Sequence, residues 1–301
     1  MRIGREDSAQ NAGRESKMGA AKAIARIAGG ALLALLALPA VAQQKQEFKY
    51  PLGPGGSLTI VNENGPVTVR PAGGRQALVT VTKRSDKIDI DEDNAGNRVQ
   101  LRSHAMERLS GEQGRVDYEV MVPAGMSLRV VAAGGPISVE RVRGDVSLEG
   151  DAAQVEIKDV SNARVQVKTM GGAVALTNVT GGEVEITSVS GDIELSQVSG
   201  RRVVANSTKG TIRYTGALAG GGDYLFTNHS GGIEVALAPN ASVDLTAHSV
   251  TGSVQNEYPM QLKQHSFLKP SEGRSYAGTS QRGEASVQLR SFSGRIRVKQ
   301  Q

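Results

Sequence analysis

Apolar residues recur along this chain at two alternating intervals. The first apolar position of each Gly-x-Val-x-Val-like unit falls at Val146, Val155, Val165, Val174, Val184, Ile193, Val203 and Ile212, so that steps of nine and ten residues alternate without exception. The underlying repeat is therefore nineteen residues holding two short strands. It runs without gaps through 144–162, 163–181, 182–200 and 201–219, and a fifth copy at 222–240 follows two extra glycines. Within a unit, Val184 and Ile186 alternate with Glu185 and Thr187, and side chains on a strand point alternately to opposite faces, which sends the apolar pair inward. Val189 is expected to turn inward again past a bend.

A period this short, repeated this often, predicts a solenoid whose coils bury their apolar side only by stacking. The fold class expected is all-β: a β-solenoid, parallel β-helix-like, with a coil of about nineteen residues and two strands. Gly172, Gly191 and Gly210 stand nineteen apart, with Ala153 in the same column, and mark where the backbone bends tightly. A stack of antiparallel hairpins or a β-sandwich also suits strands at this spacing. Few of the connections, however, are the Asn-Gly or Asp-Gly turns that close hairpins.

The flanks are less regular. Leu58-Thr59-Ile60 and Val67-Thr68-Val69 resemble early rungs, while Val79, Val81, Val99-Gln100-Leu101 and the run 116–122 read as longer strands. The acidic stretch 87–97 reads as a loop between them. Residues 43–125 thus form an expected β-rich N-terminal cap, 126–257 the solenoid, 258–283 a polar loop without either period, and 284–301 a final rung that returns to the stack.

The N-terminus carries a different signal. Lys22 and Arg26 precede an apolar run from Ile27 to Leu38, and Pro39-Ala40-Val41-Ala42 supplies small residues, the pattern of a secretory signal cleaved after Ala42. Met18 is the start that would give this signal an ordinary length. The apolar run is shorter than the roughly 20 residues a membrane span requires. Of 35 basic and 30 acidic residues, six and three lie in 1–42, leaving 29 and 27 in the exported chain. That near balance removes the case for a nucleic-acid partner. The chain has no cysteine, which excludes disulfides, thiolate metal sites and a cysteine nucleophile. Export to the periplasm or the exterior is the expected localisation.

The signal sequence, the absence of cysteine, and the runs GGPISVERVRGDVSLEG and GGAVALTNVTGGEVEITSVSGDIELSQVSG together resemble the putative adhesin family of bacterial envelope proteins, a β-strand-repeat domain of unknown function. The resemblance covers residues 50–298 and is strongest over 126–240. It implies an exported β-solenoid and carries no catalytic motif.

Candidate chemistry is sparse. His104, His229, His248 and His265 show no local metal-ligand spacing. Asp145, Asp192 and Asp223 follow glycine as in calcium-binding β-rolls, but the pattern fails at Gln154, Arg164 and Thr211, so these aspartates are expected to cap turns. Neither a Gly-x-Ser-x-Gly elbow nor a phosphate loop occurs. Stacked in register, Glu194, Arg213 and Glu234 would occupy equivalent outward places about 4.8 Å apart. They form either an exposed ion ladder or, by analogy with polysaccharide-cleaving β-helices, a carboxylate-Arg-carboxylate site. Tyr214, Tyr224 and Phe226 form one aromatic cluster, with both tyrosines expected in inward columns. No catalytic, cofactor or metal residue is assigned and no cofactor is implied. The function expected is a non-enzymatic envelope module, an adhesin-like binder of an unidentified cell-envelope polymer, lipid headgroup or envelope protein. A carbohydrate-active enzyme and a structural or stress-related scaffold are the alternatives.

Overall fold

A computed structural model describes residues 44–263 and 273–301. The expected signal segment 1–42 and His265 lie outside the described residues. The described residues form twenty-five strands. The first seven are β1 (Gln44–Tyr50), β2 (Ser57–Asn62), β3 (Val67–Pro71), β4 (Ala77–Lys83), β5 (Ile88–Asn94), β6 (Arg98–Ala105) and β7 (Val116–Val122). The repeats follow as β8 (Ser127–Ala132), β9 (Ile137–Glu140), β10 (Val146–Gly150), β11 (Val155–Ser161), β12 (Arg164–Thr169), β13 (Val174–Thr180), β14 (Glu183–Ser188), β15 (Ile193–Ser199), β16 (Arg202–Ser207), β17 (Ile212–Gly216), β18 (Asp223–Asn228) and β19 (Ile233–Leu237). The chain closes with β20 (Val243–Ser249), β21 (Val254–Asn256), β22 (Gln261–Leu262), β23 (Ser275–Ser280), β24 (Ala285–Ser291) and β25 (Ile296–Gln300).

Strands alternate between two facing sheets, the odd-numbered repeats in a 12-stranded sheet and the even-numbered in a 13-stranded sheet. Pairing through the repeats is parallel, and Val146, Val165, Val184 and Val203 stack in one register, nineteen residues apart. This is the β-solenoid that the alternating spacing predicts; parallel pairing excludes the hairpin alternative over these residues. Inward columns such as Val155, Val174, Ile193, Ile212 and Ile233 are fully buried. Each such side chain contributes roughly 1.5 to 3 kcal/mol on leaving water.

Chain order and stacking order part company at both ends. Strands β2 and β3 pair with β8 and β9, so the early rungs at Leu58 and Val67 are part of the stack itself. Outside them lie β6 and β7, and then the antiparallel strands β5, β4 and β1. The acidic stretch read as a loop is largely strand β5, paired with β6 from Ile88↔Ala105 to Asn94↔Val99. Its charged side chains sit on a sheet edge, where they discourage pairing with another chain. At the other end β24 and β25 insert between β18/β19 and β20/β21. The interval 258–283, read as a polar loop, contains β22 and β23, which pair antiparallel and add to β20. Neither strand keeps the nineteen-residue period because each closes an end and does not continue a coil.

One expectation about the core is overturned. Val189 is 42% exposed, whereas Val198, at the equivalent place in the next strand, is fully buried. In β14 simple alternation continues through Ser188, which is buried, and so carries Val189 outward. In β15 Gln197 adopts a left-handed backbone (φ 57°) that shifts the phase by one and turns Val198 inward. Arg141, Asp159 and Asn178 repeat the left-handed conformation in the same column, at φ 54–55°. Asn and Asp tolerate it better than most residues. Asn178 also donates from Nδ2 to Asp159 Oδ1 at 2.6 Å.

The aromatic cluster is internal. Tyr214, Tyr224 and Phe226 are all buried, with the Tyr214 ring 5.7 Å from Tyr224 and 5.6 Å from Phe226. Tyr214 donates to the Val198 carbonyl at 2.9 Å, and Ala219 N–H donates to Tyr224 at 2.8 Å, so both phenols are satisfied inside the stack. Burial raises the Tyr214 pKa well above its usual range and that of Tyr118 to about 12, keeping both neutral.

Candidate functional site: the polar corner and its groove

The turns that leave β12, β14, β16, β18, β20 and β24 of the 13-stranded sheet are built to one plan. A small polar residue ends the strand, two exposed residues follow, and a glycine closes the turn: Thr169/Gly172, Ser188/Gly191, Asn228/Gly231, Ser249/Gly252 and Ser291/Gly294. The polar side chain faces inward and bonds the glycine's backbone. Gly172 N–H donates to Thr169 Oγ1 at 3.1 Å, Ser188 Oγ donates to Gly191 O at 2.8 Å, and Gly294 N–H donates to Ser291 Oγ at 2.8 Å. Asn228 accepts from Gly231 N–H and donates to Gly210 O, both at 2.6 Å. Ser207 holds the same place, but its buried hydroxyl has no partner. The glycines stack directly, and a Cβ at Gly172, Gly191, Gly210, Gly231 or Gly294 would overlap a backbone carbonyl of the coil beside it. The column marked by sequence is therefore a close approach of backbones, which is why it needs glycine.

The two exposed turn residues also stack. Val189 N–H donates to Thr169 O, Thr208 N–H to Ser188 O, His229 N–H to Ser207 O and Phe292 N–H to Asn228 O, at 3.1 to 3.2 Å. Met170, Val189, Thr208, His229, Phe292 and Val250 consequently form one file along the corner. Four of them are exposed apolar side chains, with Met170 at 61% and Phe292 at 48%. The His229 and Phe292 rings lie face to face, 4.9 Å apart and 6° from parallel.

Beside this file runs the outermost column of the sheet's outer face: Lys168, Thr187, Asn206, Thr227, Arg290 and His248, in register. Between file and column lie two shallow grooves that meet at Thr187: one of about 360 Å³ running from Thr187 to Arg290 and Val250, and one of about 340 Å³ that continues past Lys168 to Glu149, Asp151 and Glu63. From 168–172 through 187–191, 206–210, 227–231, 290–294 and 248–252 there is no Asp or Glu. Lys168, Lys209 and Arg290 lie there, and none is within ion-pair distance of a carboxylate among the described residues. Elsewhere charges alternate, as in Asp145, Arg164, Glu183, Arg202 and Asp223 along one column.

The candidates read from sequence fall elsewhere. Glu194, Arg213 and Glu234 do stack on the outer face of the 12-stranded sheet, followed by Arg297. Arg213 lies 3.1 Å from Asp192 and 3.9 Å from Glu234, about half exposed. Surface pairs of this kind stabilise by about 0 to 1 kcal/mol. Arg213→Gln is therefore expected to shift chemical-denaturation stability by less than about 1 kcal/mol. Asp145 and Asp192 cap turns, accepting from Arg164 N–H at 3.0 Å and Thr211 N–H at 2.7 Å. The two lie in different sheets, so the supposed Asp column does not exist. No group of three potential metal ligands occurs among the described residues. Of the histidines, His104 pairs with Asp91 at 2.9 Å and His248 contacts Ser275 at 2.8 Å, while His229 belongs to the corner file. The groove was missed because Phe292, Arg290 and Lys209 are far apart in sequence. The detectable signal was a Ser/Thr/Asn-x-x-Gly turn that recurs without acidic residues.

The family model of Toastrack DUF4097 matches residues 56–299. The chain belongs to the Toastrack family. That span takes in the whole stack from β2 to β25, and the Toastrack fold is β-solenoid-like. No curated protein matches the chain. Among solved structures, the Toastrack chain is similar to a putative adhesin from Bacteroides fragilis NCTC 9343, at 10% identity over 87% of this chain and 99% of that one, with a TM-score of 0.45. It is similar also to a putative cell adhesion protein from Clostridium sporogenes ATCC 15579, at 12% identity over 86% and 100% of the two chains and a TM-score of 0.28. A putative adhesin from Parabacteroides merdae ATCC 43184 shares 10% identity over 86% and 96%, with a TM-score of 0.32. No helix among the described residues of this Toastrack protein is long and apolar enough to cross a membrane.

Proposed function

We propose that this Toastrack protein is an exported, non-enzymatic module that binds an extended partner in the cell envelope, in the manner of an adhesin. The observation that carries this reading is the 360 Å³ corner groove: a continuous surface across successive coils, edged by exposed apolar side chains and with no acidic residue in its lining. Extended surfaces on stacked repeats bind by many small contacts along their length. Export is supported by the signal pattern ending at Ala42. The enzyme reading has weaker support. Glu194 and Glu234 stand exposed on a flat sheet face, with Arg213 between them engaged by Asp192.

Cosedimentation of the purified chain with isolated cell-wall sacculi and with outer-membrane vesicles, at low and raised salt, tests the proposal. Saturable binding that survives salt is expected. Failure to sediment with either, at any salt, would overturn it and leave a structural scaffold as the better reading.

A further inference from the structure

We infer that the acid-free groove binds a linear glycan carrying carboxylates, laid along the corner parallel to the stack. The inference rests on the envelope-binding reading and names the surface and the ligand chemistry. Four features of the groove meet there. Its direction is set by the stacking: five rungs from Thr187 to His248 span roughly 19 Å at the usual strand spacing, so the occupant is a chain. Its walls offer hydroxyl and amide groups at three successive rungs, from Thr187, Asn206 and Thr227 on one side and Thr208 on the other, which suit the dense hydroxyls of a sugar chain. The exposed face of the stacked His229 and Phe292 rings supplies a flat apolar platform of the kind on which a sugar ring rests. Charge selects the acid: Arg290 in the lining, with its Nη2 donating only to the neutral Gln288 at 3.0 Å, and Lys209 at the rim beside Thr208 are cations with no carboxylate partner among the described residues.

Two other anionic partners fit less well. A nucleic-acid strand of the same length would carry roughly six phosphates, against two cations here. An anionic membrane would engage a convex apolar cap, whereas Phe292 and His229 form one wall of a concave groove whose other wall is polar.

Calorimetric titration of the purified chain with an oligogalacturonate long enough to span the groove tests the inference, with neutral dextran, single-stranded DNA and phosphatidylglycerol vesicles as comparison ligands. Saturable oligogalacturonate binding is expected, weakening as salt rises and stronger than binding to any comparison ligand. Arg290→Gln and Phe292→Ser should each weaken it by about tenfold, the scale of one charge-assisted hydrogen bond or one ring contact. Both residues are at the surface, so unchanged melting midpoints are expected, and Arg213→Gln on the opposite sheet should bind as the parent does. The inference is overturned by the absence of saturable oligogalacturonate binding, by tighter binding to DNA or vesicles, or by full affinity in both groove variants. Sacculus binding that persists in both variants would remove this groove and leave the envelope reading standing; a parent chain that does not bind sacculi or vesicles removes both.

Discussion

Gly191→Val should lower the melting midpoint by roughly 6 to 12 °C, on the basis of about 3 kcal/mol lost and 2 to 4 °C per kcal/mol for a domain of this size. The cause is local and backbone-based. A Cβ at Gly191 would overlap the carbonyl oxygen of Gly172, and that oxygen sits in a turn held by Thr169 and stacked on the coil beyond. The strain has no flexible side chain into which to relax. Differential scanning calorimetry checks it, with Gly73→Ala as the control: a Cβ at Gly73 meets nothing within 4 Å, so the midpoint should stay where it is.

Val198→Asp should destabilise the chain by several kcal/mol, while Val189→Asp should change it by less than about 0.5 kcal/mol. The two valines occupy the same place in nearly identical sequence runs, each five residues after the first inward position. Val198 is fully buried, and a carboxylate there would lose its water with no basic partner in an aliphatic core. Val189 is 42% exposed, and its replacement stays in solvent. Urea denaturation of both variants measures the difference, and equal losses would contradict the phase shift at Gln197.

That pair of valines also marks the limit of what the sequence carried. Period, parallel stacking, inward Val and Ile columns and the glycine corner were legible because each repeats, and repetition fixes register. Whether Val189 or Val198 turns inward was not, because the decision lies in the backbone of the residue before it. A buried Ser188 continues alternation, while Gln197 interrupts it with a left-handed φ. The cue was present in the neighbouring coils, where Asp159 and Asn178, residues that accept this conformation, hold the place of Gln197. Strands β5 and β23 escaped for another reason: each pairs antiparallel at an end of the stack, and such a strand need not follow the coil's period. The groove was the least legible feature. Its Arg290 and Phe292 come from a rung that inserts out of chain order beside His229, so only the pairing of β24 with β18 brings them together.

Oxidative footprinting of the chain with and without a soluble acidic glycan tests the central claim most directly, because the groove and a control surface both expose reactive side chains. Met170, His229 and Phe292 line the corner, and Met121 is 41% exposed on a strand of the opposite sheet. The account predicts that the glycan protects His229 and Phe292 most and Met170 next, with Met121 oxidised at its unliganded rate. Protection of Met121 with the corner residues unchanged, or no protection anywhere under saturating glycan, would contradict it.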